Sequence, residues 1–229
     1  MENRFLKLPF ALDASRLRQD LAVCEAERWA QHFNTRDYDG EWTGIALRSV
    51  SGGSNDIYAH SETPGIFVNT PLLEKCAYFK AILSQLACDI ETVRLLALSP
   101  GSHIKTHRDP GLGYSHGAFR LHLPIYTDDQ VLFRVDGCDL QMQVGECWYA
   151  DFDLPHSVEH KGTERRIHLV IDGRRNAWSD AWFGGAGYDF EAERRASQPD
   201  PETLERIIAQ LSLMDTDTAR ALIAQYRAG

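Results

Sequence analysis

Between about Ile90 and Asp172 the chain alternates short apolar runs with turn-forming residues, and this pattern restricts the fold more than any other feature. The runs are rich in Val, Ile, Leu, Phe and Tyr. Turn signals separate them at Pro100-Gly101, Asp109-Pro110-Gly111, Asp136-Gly137 and Gly145. Short strands joined at this spacing are typical of sandwiches and jelly rolls. The segment is therefore predicted to form an antiparallel β meander of that type.

Helical patterns precede the meander. Asp13 is predicted to cap a helix whose apolar positions include Leu17 and Leu21. Thr70-Pro71 opens a second helix, because proline is favoured at the first helical position and apolar residues then repeat at helical spacing as far as Leu83. The fold class is thus mainly β with flanking helices.

Two amphipathic helices follow the meander. Asp200 is predicted to cap the first of them, with Pro201 at its first helical position. Their apolar stripes are Leu204, Ile207, Ile208 and Leu211 in one helix and Ala219, Leu222, Ile223 and Tyr226 in the other. Such a helical hairpin must bury its stripes on the β domain or on a second subunit, so a homodimer through these helices is one expectation. We expect residues 1–190 to form the β domain with its N-terminal elements, and residues 191–229 a C-terminal helical appendage.

Charge and hydropathy exclude several kinds of partner. With 24 Lys and Arg against 33 Asp and Glu, the net charge of −9 disfavours binding to nucleic acid or anionic lipid. No apolar run approaches the length of a membrane span, and the run near the N-terminus is too short for a signal peptide. We therefore expect a cytoplasmic protein without nucleic-acid or membrane partners.

Two predicted strands carry arginine and histidine on one face. In Phe119–Ile125 the alternation places Arg120 and His122 together, and in Arg166–Ile171 it places Arg166 and His168 together. One strand of this kind could simply face solvent. Two such strands, with arginine rather than lysine or glutamate, favour a pocket lined with donors for anions.

Three residues within this meander form a candidate metal site. His107 and Asp109 are two residues apart on an extended segment, and His156 follows 49 residues later. Two histidines and one carboxylate are the ligand set of non-haem iron(II) oxygenases. A surface histidine beside a turn-forming aspartate is the alternative, but the order of these residues before Arg166 favours the metal.

Several motifs, taken in order, resemble the aspartyl/asparaginyl β-hydroxylase family of 2-oxoglutarate-dependent oxygenases, especially its bacterial branch of L-proline cis-hydroxylases. The resemblance spans about Trp42 to Asp172. Its motifs are Tyr38–Trp42, Ala46–Ser49, Ser99–His103, His107–Pro110, Arg120–Leu123, Leu154–Ser157 and Arg166–Asp172. It implies a double-stranded β-helix, a cupin-like jelly roll, with iron(II) held by His107, Asp109 and His156. In the animal members a glycine stands at the position of Asp109.

The resemblance also implies roles for three residues around the iron. Arg166 would bind the distal carboxylate of 2-oxoglutarate, His122 would help to hold this cosubstrate near the iron, and Arg120 would meet the carboxylate of the substrate. A serine that contacts 2-oxoglutarate in the animal members falls on Leu96 here. His168 is expected to be a packing or hydrogen-bonding residue, and His32 and His60 carry no motif.

These expectations describe a dioxygenase that uses iron(II), 2-oxoglutarate and O2 to hydroxylate a carboxylate-bearing small molecule, an amino acid either free or bound to a carrier. Two alternatives remain open at this point. The protein could hydroxylate aspartyl or asparaginyl side chains of a peptide, or it could be a non-catalytic cupin-like metal-binding or sensor domain.

Overall fold

A computed structural model describes residues 3–59 and 66–228, so His60 lies outside the described residues. The strands are β1 (Phe5–Leu8), β2 (Ala30–Gln31), β3 (Tyr38–Asp39), β4 (Trp42–Ser49), β5 (Val68–Asn69), β6 (Ile90–Leu98), β7 (His103–His107), β8 (Ala118–Tyr126), β9 (Val131–Val135), β10 (Cys138–Leu140), β11 (Cys147–Ala150), β12 (His156–His160) and β13 (Arg166–Arg174). The helices are α1 (Ala14–Glu25), α2 (Pro71–Glu74), α3 (Ala77–Leu83), α4 (Ala177–Gly185), α5 (Phe190–Ser197), α6 (Pro201–Ser212) and α7 (Asp217–Ala228).

The strands form two antiparallel sheets, which confirms the predicted fold class. The larger sheet has eight strands in the order β1-β11-β8-β13-β6-β4-β2, with β5 paired to β4. The smaller sheet has five strands in the order β10-β9-β12-β7-β3. Neighbours in space are distant in sequence, as a jelly roll requires. This order places β8, β13 and β6 at the centre of the larger sheet and β12 and β7 near the centre of the smaller one.

One apolar cluster contains residues from both sheets and buries their inner faces. Its largest members are Tyr38, Trp42, Phe133 and Phe152. Burial of this kind stabilises the fold at ~25 cal/mol per Å² of apolar surface. Polar residues of β8 and β13 that share the inner face with this cluster are therefore removed from solvent.

The prediction of one continuous helix from Thr70-Pro71 to Leu83 is wrong, because the structure divides this segment into α2 and α3. The break falls at Cys76, whose backbone is not helical. The Asp20 carboxylate of α1 accepts hydrogen bonds from the backbone N–H groups of Tyr78 (2.7 Å) and Phe79 (2.8 Å). An acidic side chain at this place satisfies N–H groups at the start of a helix, so a tertiary contact starts a new helix inside the apolar repeat.

The chain divides into two compact units, Met1–Tyr188 and Asp189–Gly229. The first contains both sheets and α1 to α4. The second contains α5, α6 and α7, of which α6 begins at Pro201 with the Asp200 side chain accepting from the Thr203 N–H, as predicted. Within the described residues, no helix combines the length and the apolar character needed to cross a membrane.

Candidate metal centre and cavity

His107 and His156 face each other across two neighbouring strands. The pairing of β7 with β12 makes them direct partners, and their ring centroids lie 4.2 Å apart. Each ring bonds a backbone carbonyl through Nδ1: His107 to Lys105 at 2.8 Å and His156 to Leu154 at 2.9 Å. A carbonyl only accepts, so both Nδ1 atoms donate and each Nε2 keeps its lone pair for a metal.

Asp109 supplies a carboxylate immediately after β7. Its backbone N–H donates to the Phe152 carbonyl at 2.9 Å, and its Oδ2 accepts from Arg120 Nη1 at 2.7 Å. The other oxygen, Oδ1, lies 3.8 Å from His107 Nε2. Burial alone would raise the pKa of Asp109, but Arg120 and the two histidines lower it below its usual value, so the carboxylate is ionised.

The three side chains can hold one divalent ion. One ligand atom from each of His107, Asp109 and His156 lies within 4.8 Å of the others. Burial lowers the pKa of His156 to about 4, which keeps this imidazole neutral and able to bind a metal at neutral pH. Two imidazoles and one carboxylate suit iron(II) and leave coordination positions open for other ligands.

The triad opens into a cavity of about 270 Å³. Its apolar wall includes Trp42, Leu96, Ile104, Leu112, Phe133, Phe152 and Val158. Its polar wall includes His32, Arg94, His107, Asp109, Arg120, His122, His156 and Arg166. The structure thus brings every residue that the sequence singled out for metal, cosubstrate or substrate to the wall of one cavity.

Arg120 is more fully paired than its own segment suggests. Its Nε donates to Asp172 Oδ1 at 2.6 Å, while its Nη1 donates to Asp109. Asp172 also accepts from Arg94 Nη2 at 2.6 Å, so one buried carboxylate serves two arginines. Burial would raise the pKa of Asp172, but Arg120 and Arg94 hold it at about 2. A substrate carboxylate is therefore not required merely to neutralise Arg120.

Arg166 lacks such a partner. Its side chain is 2% exposed, and within the described residues no carboxylate forms an ion pair with it. Its Nη2 lies 2.9 Å from His168 Nδ1, while its Nε has no hydrogen-bond partner. Burial lowers the pKa of Arg166 to about 9. This guanidinium is cationic at neutral pH and faces a cavity with an unmet need for an anion.

Sequence reasoning missed two polar residues of the wall. Arg94 lies in the apolar strand β6, where the alternation argument used for Arg120 would have found it. His32 stacks on Trp42, with ring centroids 3.4 Å apart and planes at 9°. Burial, followed by the charges of Arg94 and Arg120, lowers the pKa of His32 to about 3. No motif marks His32, because only the fold brings it to the cavity.

Comparison with known proteins shows the family of this chain. Residues 13–176 match the sequence model of aspartyl/asparaginyl beta-hydroxylase. The chain belongs to the aspartyl/asparaginyl β-hydroxylase family. Within the family it is similar to an L-proline cis-4-hydroxylase of Rhizobium meliloti (strain 1021), with 27% identity over 188 residues. The match covers 80% of this chain and 65% of the relative, so the chain spans less than two thirds of that curated protein.

This member of the β-hydroxylase family also shares its fold with a solved structure. The structure is an oxidoreductase of the 2OG-Fe(II) oxygenase family from Burkholderia pseudomallei. The TM-score is 0.52 at 15% identity, with 76% of this chain and 87% of that chain covered. The likeness confirms the predicted jelly roll.

Proposed function

We infer that this protein is an iron(II)- and 2-oxoglutarate-dependent hydroxylase of a small amino acid. The observation that carries the inference is the buried guanidinium of Arg166, which has no carboxylate partner among the described residues and opens into the same cavity as the His107, Asp109 and His156 triad. A buried, unpaired cation costs several kcal/mol unless a ligand supplies the opposite charge. The distal carboxylate of 2-oxoglutarate would supply it.

The charges around the cavity support one dianion and one further carboxylate group as ligands. Three guanidinium groups and two carboxylates line or support the deep wall: Arg94, Arg120, Arg166, Asp109 and Asp172. At the rim Asp37 and Arg108 add one charge of each sign. With a divalent ion the deep wall has a surplus of three positive charges. 2-Oxoglutarate offsets two of them. The carboxylate of a free amino acid can pair with the third, while its ammonium group leaves the substrate as a whole without net charge.

Each residue then has a defined task. His107, Asp109 and His156 hold iron(II), and Arg166 with His122 binds 2-oxoglutarate. Bound iron supplies O2 activation coupled to oxidative decarboxylation, so a substrate C–H, O2 and 2-oxoglutarate become C–OH, succinate and CO2. Arg120 and Arg94, fixed on Asp172, present N–H donors to the substrate carboxylate. The apolar wall excludes water and orients the C–H bond.

A small substrate is favoured over a peptide or a carrier-bound residue. The cavity volume of about 270 Å³ lies just below the range of typical small-molecule sites, roughly 300–1,000 Å³. The similar Rhizobium protein is named for the hydroxylation of L-proline. We therefore propose free proline, or an amino acid of similar size, as the substrate, and place the peptide β-hydroxylase activity second.

A turnover screen tests this function. The protein is incubated with iron(II), 2-oxoglutarate and O2 and with each of the twenty amino acids, proline first. Succinate and a product heavier by one oxygen atom are measured by mass spectrometry. Formation of both with a free amino acid supports the proposal. A protein that binds iron but forms no succinate with any amino acid or with aspartyl or asparaginyl peptides is a metal-binding domain instead.

Two controls separate the roles within the site. His156→Ala removes one metal ligand and should nearly abolish both iron binding and succinate formation. The methyl ester of the best substrate keeps its C–H bonds but lacks the negative charge. If the ester is hydroxylated as fast as the acid, the proposed carboxylate contact is wrong while the hydroxylase function stands.

A further inference from the structure

Three buried groups form a hydrogen-bonded chain at the cavity wall. Arg166 Nη2 lies 2.9 Å from His168 Nδ1, and His168 Nδ1 lies 3.1 Å from His122 Nδ1. Arg166 and His122 both line the cavity, whereas His168 does not. His122 stacks on Phe152, whose ring also contacts His156, so Phe152 links His122 to the metal triad. His168 therefore joins the two ends of the cosubstrate site without facing the cosubstrate.

The chemistry of these groups fixes where the protons are. Burial and the charge of Arg166 keep the pKa of both histidines well below the usual value, so each ring is neutral and carries one proton. A guanidinium only donates, so His168 Nδ1 accepts and the proton of His168 is on Nε2. A proton on His122 Nε2 would leave two lone pairs facing each other at 3.1 Å. The proton of His122 is therefore on Nδ1.

This arrangement leaves His122 unable to bind an anion. Its Nε2 carries a lone pair, is buried, and has no hydrogen-bond partner. Carboxylate and keto oxygens only accept, so they need a donor at this position. The same two rings provide that donor in the reverse arrangement, with His168 Nδ1–H donating to His122 Nδ1 and the His122 proton on Nε2. The reverse arrangement requires Arg166 to release His168, because an N–H of Arg166 and the N–H of His168 would otherwise face each other.

We propose that His168 is a positioning residue that couples the two ends of the cosubstrate site. When Arg166 turns to the distal carboxylate of 2-oxoglutarate, His168 reverses its tautomer and converts His122 from an acceptor into a donor for the 2-oxo acid end. Each ring keeps one proton throughout: the proton on His168 Nε2 is released to water, one moves from His122 Nδ1 to His168 Nδ1, and water supplies one to His122 Nε2. Because both Nε2 atoms are buried without a hydrogen-bond partner, the two exchanges with water need a transient opening of the structure. The inference rests on the proposed function, since it assumes that 2-oxoglutarate occupies this cavity.

Nitrogen NMR measures the tautomers directly, without turnover. The full chain is labelled with 15N-histidine, loaded with zinc as an unreactive substitute for iron, and recorded with and without 2-oxoglutarate. The rings are assigned from single substitutions. Without ligand we expect the Nε2–H form of His168 and the Nδ1–H form of His122, and with 2-oxoglutarate both should reverse. An Nδ1–H form of His168 in the ligand-free protein, or unchanged tautomers with 2-oxoglutarate bound, overturns the coupling.

Binding of two acids tests the consequence. 2-Oxobutanoate has the 2-oxo acid end but no distal carboxylate, so in the wild-type protein it cannot release His168. In His168→Leu the ring of His122 is free to carry its proton on Nε2. The preference for 2-oxoglutarate over 2-oxobutanoate, measured by calorimetry on the zinc-loaded protein, should then shrink about tenfold, within the roughly 5- to 150-fold range of site-to-site coupling. Equal weakening of both acids would indicate a purely structural role and overturn the proposal.

The matched control is His160→Leu. His160 is a second buried histidine, which bonds the Glu164 carbonyl at 2.6 Å and belongs to β12. Its loss should lower stability but leave the preference between the two acids unchanged. If His168→Leu does not fold, the tautomers of the wild-type protein still decide the question. If 2-oxoglutarate does not bind the wild-type protein at all, the proposed function fails as well, which separates that result from failure of the coupling alone.

Discussion

Asp172 shows how one residue sets the electrostatics of this cavity. The residue is 5% exposed, and its carboxylate accepts from Thr92 at 2.6 Å in addition to Arg94 and Arg120. Removing one partner of a buried charge pair costs about 3–5 kcal/mol, because the other charge stays buried. The two arginines thus keep fixed directions before any substrate enters, which reduces the cost of binding one.

The contact between Arg120 and Asp109 predicts an effect on metal binding. In Arg120→Met the Asp109 carboxylate loses the donor that holds its Oδ2, so its Oδ1 is no longer directed at the metal position. Residues that orient metal ligands typically contribute 10- to 100-fold to metal affinity. We expect zinc or cobalt to bind Arg120→Met about tenfold more weakly than the wild type, as measured by competition with a chromophoric chelator.

Arg134→Met provides the control for this prediction. Arg134 is an exposed residue of β9 that pairs with Asp139 and has no contact with Asp109. Its substitution should leave metal affinity unchanged. Undiminished affinity in Arg120→Met would mean that the backbone alone positions Asp109.

At the residue scale, the sequence predicted which side chains share a face in the candidate site, but it did not predict the ion pairs between them. Side-chain alternation placed Arg120, His122 and Arg166 correctly on an inner face, because alternation depends only on the strand itself. The link between Arg120 and Asp172 depends on the register of β8 against β13, in which these residues are direct partners. Register is a tertiary property, so no local pattern in the sequence indicated it.

At the scale of elements, the turn before β12 holds the loop that carries Asp109. Asp153 Oδ1 accepts from the Gly111 N–H at 2.9 Å, and its Oδ2 accepts from Arg108 Nη2 at 3.0 Å. Two backbone hydrogen bonds link the same segments, Asp109 N–H to Phe152 and Phe152 N–H to Leu112. The loops after β7 and before β12 therefore form one rigid support for two of the metal ligands.

Substitution of Asp153 tests this support. Asp153→Ala leaves the Gly111 N–H without its acceptor, so metal affinity should fall about tenfold, as for other residues that orient ligands. Asp153→Asn keeps an oxygen for that N–H and should retain most of the affinity. Chelator competition measures both, and equal affinities in the two variants would assign the support to the backbone hydrogen bonds alone.

Elements defined by local signals were predicted more accurately than those set by contacts. α1 and α6 begin where Asp13 and Asp200 predicted, because each aspartate caps its own helix. The division between α2 and α3 was missed because the capping carboxylate, Asp20, comes from a helix more than fifty residues earlier.

At the scale of the whole molecule, all the residues that line the cavity belong to the first compact unit. A chain that ends at Tyr188 should therefore fold and bind zinc and 2-oxoglutarate with the affinities of the full chain. Calorimetric titration of the two chains makes the comparison, and thermal unfolding checks that the shorter one is folded. A folded chain that fails to bind would show that residues 189–229 contribute to the site.

The helical appendage over residues 191–229 and its role in dimerisation stay predictions. Measuring the oligomeric state of the full and the shortened chain would test the role in dimerisation.

The buried histidines predict how the stability of the metal-free protein depends on pH. Burial lowers the pKa of His156 to about 4 and of His32 to about 3, and it holds the pKa of His122 and His168 well below the usual value. In the unfolded chain all four rings titrate near pH 6.5. Below that pH the unfolded state binds more protons than the native state, so stability must fall as the pH decreases.

The magnitude follows from the size of these pKa shifts. Each pKa unit corresponds to 1.36 kcal/mol, so His156 alone contributes about 3 kcal/mol of lost stability between pH 6.5 and 4. Asp151 and Glu91 act in the opposite direction, because burial raises the pKa of Asp151 to about 6 and that of Glu91 above its usual value, and protonation of each favours the folded state; they are two groups against four. Urea unfolding with a chelator present should therefore show a decrease in the free energy of unfolding of several kcal/mol from pH 7 to pH 4.5.

In His168→Leu one proton fewer is taken up on unfolding, so this decrease should be smaller by about 1.4 kcal/mol per pH unit. A free energy of unfolding that stays constant over this range would mean that these histidines are protonated in the native state, which would also contradict the neutral rings on which the His168 coupling depends.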